Sequence, residues 1–166
     1  YSNLKSVTIP NSVISIGDFA FTYCSSLVSI ELPNDITSIG NYAFSGCSNL
    51  TNIKIPNGVT SIGIYVFGEC SSLTSIEIPY GVTSIGDSAF SECFKITSIN
   101  IPDSVTYIGD NVFVNCAGEL TINCDIPSAT SGYDSIFYQA NFTKVTIGNN
   151  VTSIGSHAFF TCGNLT

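Results

Sequence analysis

The chain has 166 residues, enough for one domain or one stretch of a repeat array, and only 10% of them are charged. Four lysines, no arginine and twelve acidic residues give a formal charge of −8. This balance argues against nucleic-acid binding, because phosphates are neutralised by clustered cations. A hydrophobic content of 44% is ample for a core and excludes general disorder. Every apolar run is too short for a membrane span, so no transmembrane segment is expected in this part of the chain.

A 23-residue repeat organises the whole chain. The unit reads L-x-x-I-x-I-P-x-x-V-x-x-I-G-x-x-A-F-x-x-C-x-x, and the length accommodates about seven such units. Its marker residues recur at one step: Pro10, Pro33, Pro56, Pro79 and Pro102; Gly17, Gly40, Gly63, Gly86 and Gly109; Phe21, Phe44, Phe67, Phe90 and Phe113; Cys24, Cys47, Cys70, Cys93 and Cys116. The chain begins with Tyr1 and shows no polar capping unit at either end, so we expect residues 1–166 to be one continuous array excerpted from a longer protein.

Each unit predicts the same sequence of short elements. The alternation of Ile30 and Leu32 indicates a strand with one buried face, which Pro33 should end because it lacks an N–H. Residues 36–39 predict a second extended piece, followed by a turn at Gly40. The next column is occupied by N-cap residue types, which favours a short helical or 3₁₀ turn. These residues are Asp18, Asn41, Asp87, Asp110 and Ser156.

The unit from Glu119 to Asn141 is degenerate. The consensus resumes in phase at Val145 and Ile147, so this unit keeps the length of the others, with Cys124 at the second strand position and Asp125 at the proline position. We therefore expect the solenoid to pass through it unbroken, with a local bulge at most. Because no single unit can bury its apolar face alone, the units must stack into continuous ladders of Ile, Val, Phe and Cys.

This pattern closely resembles the BspA-like, or Treponema pallidum-type, leucine-rich repeats over essentially the whole chain. The resemblance implies a strand-rich α/β fold, a right-handed leucine-rich-repeat solenoid with a parallel sheet on its concave side. It also implies a cell-surface or secreted protein of a host-associated microorganism, with a role in adhesion or recognition.

Cysteine and histidine give no catalytic or metal-binding pattern. Six of the seven cysteines occupy one column and none forms C-x-x-C, so zinc lacks a ligand cluster. Buried free thiols are the favoured interpretation and disulfides between neighbouring units the alternative, because a ladder of like-oriented side chains rarely meets disulfide geometry. His157, the only histidine, lies in a variable turn column. The sequence thus predicts no enzyme, no cofactor and no metal site.

The exposed positions of the strands form the candidate binding face. Two rows of polar side chains should run along the concave sheet, with charged members Glu31, Lys54 and Glu77 close enough for a weak surface ion-pair ladder. One row comprises Ser6, Ser29, Asn52, Ser75, Ser98, Thr121 and Lys144, and the other Thr8, Glu31, Lys54, Glu77, Asn100, Asn123 and Thr146. The alternative interpretation is a solvated sheet face that is polar only to keep the protein soluble.

Four N-x-S/T triplets are possible N-glycan acceptors, at Asn49, Asn141, Asn150 and Asn164. The sequence therefore predicts a non-enzymatic recognition or adhesion module, extracellular or on a cell surface, whose partner is a protein or glycoprotein ligand. The competing hypothesis is a structural spacer or assembly subunit that packs against other copies or partner chains. A more remote one is a surface-templating role for the recurring Thr-Ser pairs.

Overall fold

Short parallel strands stack coil upon coil along the chain. Each 23-residue unit forms one coil, and the coils are numbered in chain order, so the degenerate unit from Glu119 to Asn141 is the sixth coil. A computed structural model describes residues 3–128, 135–160, 162, 163 and 165. The strands are β1 (Ser15–Ile16), β2 (Ser38–Ile39), β3 (Ser61–Ile62), β4 (Ser84–Ile85), β5 (Ser98–Ile101), β6 (Tyr107–Ile108), β7 (Ala117–Ile122) and β8 (Asn141–Ile147). All pairings between them are parallel.

The strands form two rows along the solenoid. The first row, called the strand row below, begins with the bridged residues Thr8 and Glu31, continues through single-residue bridges between successive coils, and ends in the sheet β5-β7-β8. The second row, made by β1-β2 and β3-β4-β6, follows the proline of each unit. The predicted parallel-sheet solenoid and its 23-residue spacing are confirmed by pairs such as Ser15 with Ser38.

The core consists of ladders of identical side chains. In β5 the burial alternates strictly, with Ile99 and Ile101 inside and the polar residues between them outside. Phenylalanine rings stack from coil to coil with centroids 4.9–6.1 Å apart and planes within 12° of parallel. This stack comprises Phe21, Phe44, Phe67, Phe90, Phe113, Phe137 and Phe159. Stacking therefore buries what one unit alone would expose.

The turn that carries the phenylalanine is not helical, so the expectation of a helical or 3₁₀ turn is wrong for the described residues, which contain no helix. Asp18 and Asp87, interpreted above as caps, instead accept hydrogen bonds from the backbone N–H of the next coil, at Asn41 (2.7 Å) and Asp110 (3.0 Å). Backbone N–H groups in the turn also donate to the next coil, as from Tyr42 to the Ile64 carbonyl at 2.9 Å. Bonds between coils therefore add to those within one coil, such as the bond from the Ser45 N–H to the Tyr42 carbonyl at 3.1 Å.

Two positions in each fully described turn have a left-handed backbone. Eleven described non-glycine residues have φ between 52° and 65°, a conformation that costs about 1–2 kcal/mol for an L-residue. The first column comprises Phe19, Tyr42, Tyr65, Ser88, Asn111 and His157, and the second Tyr23, Gly46, Glu69, Glu92, Asn115 and Gln139. The hydrogen bonds between coils offset this cost, which explains how such varied side chains occupy one conformation.

The sixth coil departs from the regular spacing. Ser98 pairs with Glu119 rather than with Thr121, which the repeat would place beside it, so this step is short. Glu119 then pairs with Lys144 rather than with Phe142, so the next step is long, and a bulge lies between Gly118 and Glu119. The expected bulge and the unbroken strand row are confirmed, but the strand positions assigned from the sequence are wrong. Ile122 takes the second strand position that was assigned to Cys124, because the strand begins two residues earlier than the periodicity predicts.

The sixth coil also shortens the loop between the two strand rows. In the fifth coil, Ile101 ends the first-row strand and Ile108 ends the second-row strand, seven positions later. In the sixth coil the equivalent residues are Ile122 and Ile126, which are only four positions apart. Ile126 bridges to Ile154 in the second row. The loop that contains the proline in regular coils is therefore three residues shorter here, and the fifth and seventh coils flank a gap.

Candidate functional site

The strand row presents a continuous polar strip to solvent. Ser29, Asn52, Ser75 and Ser98 are bridged one to the next and are all exposed. The flanking row is exposed at Thr8, Glu31, Lys54, Glu77 and Asn100, and Ser6 is exposed at its start. The predicted solvent-facing position of these residues is therefore confirmed, while their role in binding stays a prediction.

At the sixth coil the strip has different members from those predicted. Glu119 takes the position assigned to Thr121, between Ser98 and Lys144. Thr121 takes the position assigned to Asn123, between Asn100 and Thr146. Asn123 lies beyond the strand, where its side-chain amide donates to the Asn100 side chain at 2.8 Å. The two-residue shift of β7 is the physical reason for this correction.

The expected ion-pair ladder of Glu31, Lys54 and Glu77 does not form at contact distance. Within the part of the chain that the structure describes, the one salt bridge joins Lys144 Nζ to Glu119 Oε2 at 3.3 Å. Both side chains are about three-fifths exposed, so the pair stabilises the fold little and salt weakens it. The same shift that brings Glu119 into the row creates this pair.

The cysteines form a ladder of buried thiols. All seven are free, six are buried and Cys162 is half-buried. Most of the column donates to the carbonyl of the preceding coil's phenylalanine, for example from Cys70 to Phe44 at 3.2 Å and from Cys116 to Phe90 at 2.9 Å. Burial raises the pKa of the Cys47 thiol to about 12, and it also raises the pKa of Cys70. The predicted buried free thiols are confirmed for six of the seven cysteines.

An aromatic strip on the turn side was missed in the sequence. Phe19 stacks on Tyr42 at 4.9 Å, and Tyr42 contacts Tyr65 at 5.5 Å, outside the core phenylalanine stack. Burial, followed by the nearby charge of Glu69, raises the pKa of Tyr65, whose hydroxyl donates to Glu69 at 3.1 Å. The sequence contains the signal for this strip, because Phe19, Tyr42 and Tyr65 occupy the same column in three successive units. We interpreted that column as a variable position.

The remaining candidate residues that the structure describes, His157 and three possible glycan acceptors, lie in turns or at the start of a strand. His157 is exposed and meets Phe160 edge-on at 5.9 Å. Asn49 and Asn150 are exposed at turns, Asn141 is half-buried in β8, and Asn164 lies outside the described residues. Of the residues that the structure describes, no three His, Cys, Asp or Glu are placed to hold a metal ion. The described ranges also contain no helix with the length and hydrophobicity needed to cross a membrane.

A cavity opens where the sixth coil shortens its loop. It has a volume of about 490 Å³ and lies between Asp103 and Thr106 of the fifth coil and Asn150 and Thr152 of the seventh. Its floor is the stretch from Asn123 to Asp125. We call this cavity the notch. The 23-residue periodicity gave no sign of the notch. The short step from Ser98 to Glu119 is followed by a long step from Glu119 to Lys144, so the repeat resumes at its expected positions in the seventh coil.

Comparison with known proteins agrees with this architecture. The model of the BspA type leucine rich repeat region, in 6 copies, matches residues 1–119 and 123–166. The crystal structure of the T. pallidum leucine rich repeat protein is 27% identical with a TM-score of 0.79, covering 98% of this chain and 78% of that one. A leucine rich cell surface protein from Faecalibacterium prausnitzii is 32% identical with a TM-score of 0.63, covering 87% of this chain and 32% of that one.

This chain therefore spans about a third of the F. prausnitzii protein. A leucine-rich repeat protein from Eubacterium ventriosum, 21% identical with a TM-score of 0.62, shares the fold; it covers 99% of this chain and 46% of that one. No curated protein matches. The matched model covers all of the chain except residues 120–122 in the shifted strand β7. The chain belongs to the BspA-type leucine-rich repeat family.

Proposed function

We propose that this chain is a non-enzymatic recognition or adhesion module of a cell-surface or secreted protein, and that the strand row is its binding face. The observation that carries the proposal is the strip of mostly small polar side chains that begins at Ser29 and continues from coil to coil to Lys144. A flat strip of hydroxyls, amides and a few charges can form many hydrogen bonds to a folded protein without a deep pocket.

The rigidity of the strip supports this function. Threonine hydroxyls beside the strands donate to carbonyls of the preceding coil, as from Thr74 to Thr51 at 3.1 Å and from Thr97 to Thr74 at 3.3 Å. Because the backbone beneath the strip is held at each coil, little ordering entropy is lost on binding. The name of the F. prausnitzii neighbour, a leucine rich cell surface protein, supports the surface location.

The function is tested by measuring how much of the chain is retained on immobilised matrix glycoproteins. Lys54→Glu and Lys144→Glu are the strand-row variants, and Lys95→Glu is the control. Lys95 carries the same charge and is exposed, but it lies outside the two rows. We expect Lys54→Glu and Lys144→Glu to weaken binding roughly fivefold or more, because reversing a charge within the binding face slows association with a partner of complementary charge. Equal binding by all three variants would refute the placement. No binding at all, together with elution as a defined oligomer, would favour the assembly role instead.

A further inference from the structure

The notch interrupts the regular stacking of loops, and its origin is geometric. Adjacent parallel strands lie about 4.8 Å apart, so removing one loop between two retained loops leaves a gap about two spacings wide. The stretch from Ile122 to Ile126 is three residues shorter than its counterpart in the fifth coil, so the sixth-coil loop no longer fills the space between its neighbours. A side-chain bond of 3.1 Å from Asn150 Nδ2 to Asp103 Oδ2 then joins residues 47 positions apart across the gap.

The notch continues into a second cavity of about 190 Å³, which shares Asp103, Asn123 and Asn150 with it and is bounded by Tyr80. The Tyr80 side chain is 74% exposed. Ligand sites generally have volumes of about 300–1,000 Å³, so the notch alone has the size of a small-molecule site. An exposed aromatic ring stands at one end, and a rigid polar floor lies at the other.

The floor is rigid because Asp125 fixes the seventh coil. Its carboxylate accepts from the Thr152 N–H at 2.6 Å, from the Thr152 hydroxyl at 2.9 Å and from the Ser153 N–H at 3.0 Å. Asn123 is likewise fixed by donating to the Ile101 carbonyl at 3.1 Å. The polar groups of the floor are therefore held in place before any ligand arrives.

Asp103 and Asn150 keep capacity for a ligand. Both are exposed, and the bond between them uses one of the several acceptor sites of the carboxylate and one of the two amide hydrogens. The pair therefore offers acceptors and a donor side by side. This combination suits hydroxyl groups, which donate and accept at the same atom.

The charge of the lining limits the ligand class further. The described residues that line the two cavities include Asp103 and Asp125 but no lysine or histidine, so anions are repelled. An apolar ligand would displace water from Asp103 and Asn150 and leave their remaining acceptor and donor sites unpaired, which is costly. A neutral polyhydroxylated ring avoids both penalties, and its C–H face can pack on an aromatic ring such as that of Tyr80.

We infer that the notch binds a neutral saccharide, with Asp103 and Asn150 hydrogen-bonded to adjacent hydroxyls and Tyr80 packed against the sugar ring. This site is separate from the strand-row face, so it extends the proposed function rather than depending on it. A glycan attached to Asn150, one of the possible acceptors, would occupy the same space and block the site.

Nuclear magnetic resonance titration of the isotope-labelled chain tests the inference. The probes are the methyl glycosides of mannose, galactose, glucose and N-acetylglucosamine, each added alone, and calcium chloride added alone. We expect at least one glycoside to give saturable shifts centred on Tyr80, Asn123 and Asn150. Asp103→Ala and Tyr80→Ala should each weaken that binding about tenfold, while Asn57→Ala, in the equivalent loop column two coils from Asp103, should leave it unchanged.

Tyr80→Ala keeps the test decisive if Asp103→Ala disturbs the fold, because an exposed ring adds little to stability. The inference is overturned if none of the four glycosides gives saturable shifts at these residues, or if the Tyr80 variant binds as tightly as the parent. Shifts at the same residues with calcium chloride alone, and none with the glycosides, would identify a cation site instead. Lys54→Glu should leave saccharide binding intact, which separates this inference from the strand-row proposal.

Discussion

Truncating one ring in the centre of the phenylalanine stack should reveal how strongly each coil depends on its neighbours. Phe90 is fully buried and lies between Phe67 at 5.6 Å and Phe113 at 5.8 Å, so Phe90→Ala removes a whole buried ring and two stacking contacts. Phenylalanine-to-alanine changes in cores cost about 3–5 kcal/mol, cavity included. Against a total stability of about 5–15 kcal/mol, this is a large fraction.

Phe21→Ala is the matched control, because Phe21 is only partly buried and its ring stacks on that of Phe44 at 5.3 Å, at the start of the array. Burying a complete apolar side chain is worth about 1.5–3 kcal/mol, so a half-buried ring should cost roughly 1 kcal/mol. Urea unfolding followed by far-ultraviolet circular dichroism measures both free energies. If the two variants lose the same stability, or if Phe90→Ala costs less than the end ring, the nearest-neighbour description of this core is refuted.

Three further predictions concern the bulge, the thiols and the sixth-coil carboxylate. Gly118→Ala should cost about 1–3 kcal/mol in urea unfolding, because Gly118 has φ of 89° and an added Cβ would meet the Thr97 carbonyl, whereas Gly17→Ala, with open space at its Cβ, should cost little. Thiol titration with an aromatic disulfide at neutral pH should label Cys162 first and the six buried thiols only on unfolding; early release of several thiols would contradict the ladder. Hydrogen bonds from the Thr152 and Ser153 N–H groups hold the pKa of Asp125 below its usual range, so its contribution to stability is present above the unfolded pKa of about 3.9 and is lost as the pH falls through the lower folded value. Asp125→Asn should therefore flatten the acid limb of the stability profile, and an unchanged profile would show that these bonds do not favour the charged form.

The sequence predicted the fold well because each column has one physical environment in every coil. Ile99 and Ile101 alternate with polar neighbours in the sequence and in space, and the cysteine column is as buried as its periodicity implied. The turn was predicted wrongly because Asp18 has the same side chain whether it caps a helix or accepts from the next coil. Local propensity alone does not distinguish these two partners.

The candidate site was predicted less completely, for a reason that lies in the sixth coil. A strand that begins early, followed by a longer step, leaves the downstream consensus in phase, so counting by the repeat length assigns Thr121 and Asn123 to positions that Glu119 and Thr121 occupy. The two-residue shift is visible only in the pairing of β7 with β5 and with β8. The notch follows from the same shift and was equally invisible in the spacing.

The shifted coil also has a mechanical consequence for the array. Cooperativity in a solenoid depends on the interfaces between successive coils. The sixth coil pairs with the seventh through a bulge, and its shortened loop leaves a gap between the loops of the fifth and seventh coils. We expect the array to behave as two folding units that meet there, with the amides near Gly118 and Ile126 exchanging hydrogen faster than those near Phe67 and Phe90. Uniform exchange along the coils would show that the irregular coil transmits cooperativity as well as a regular one.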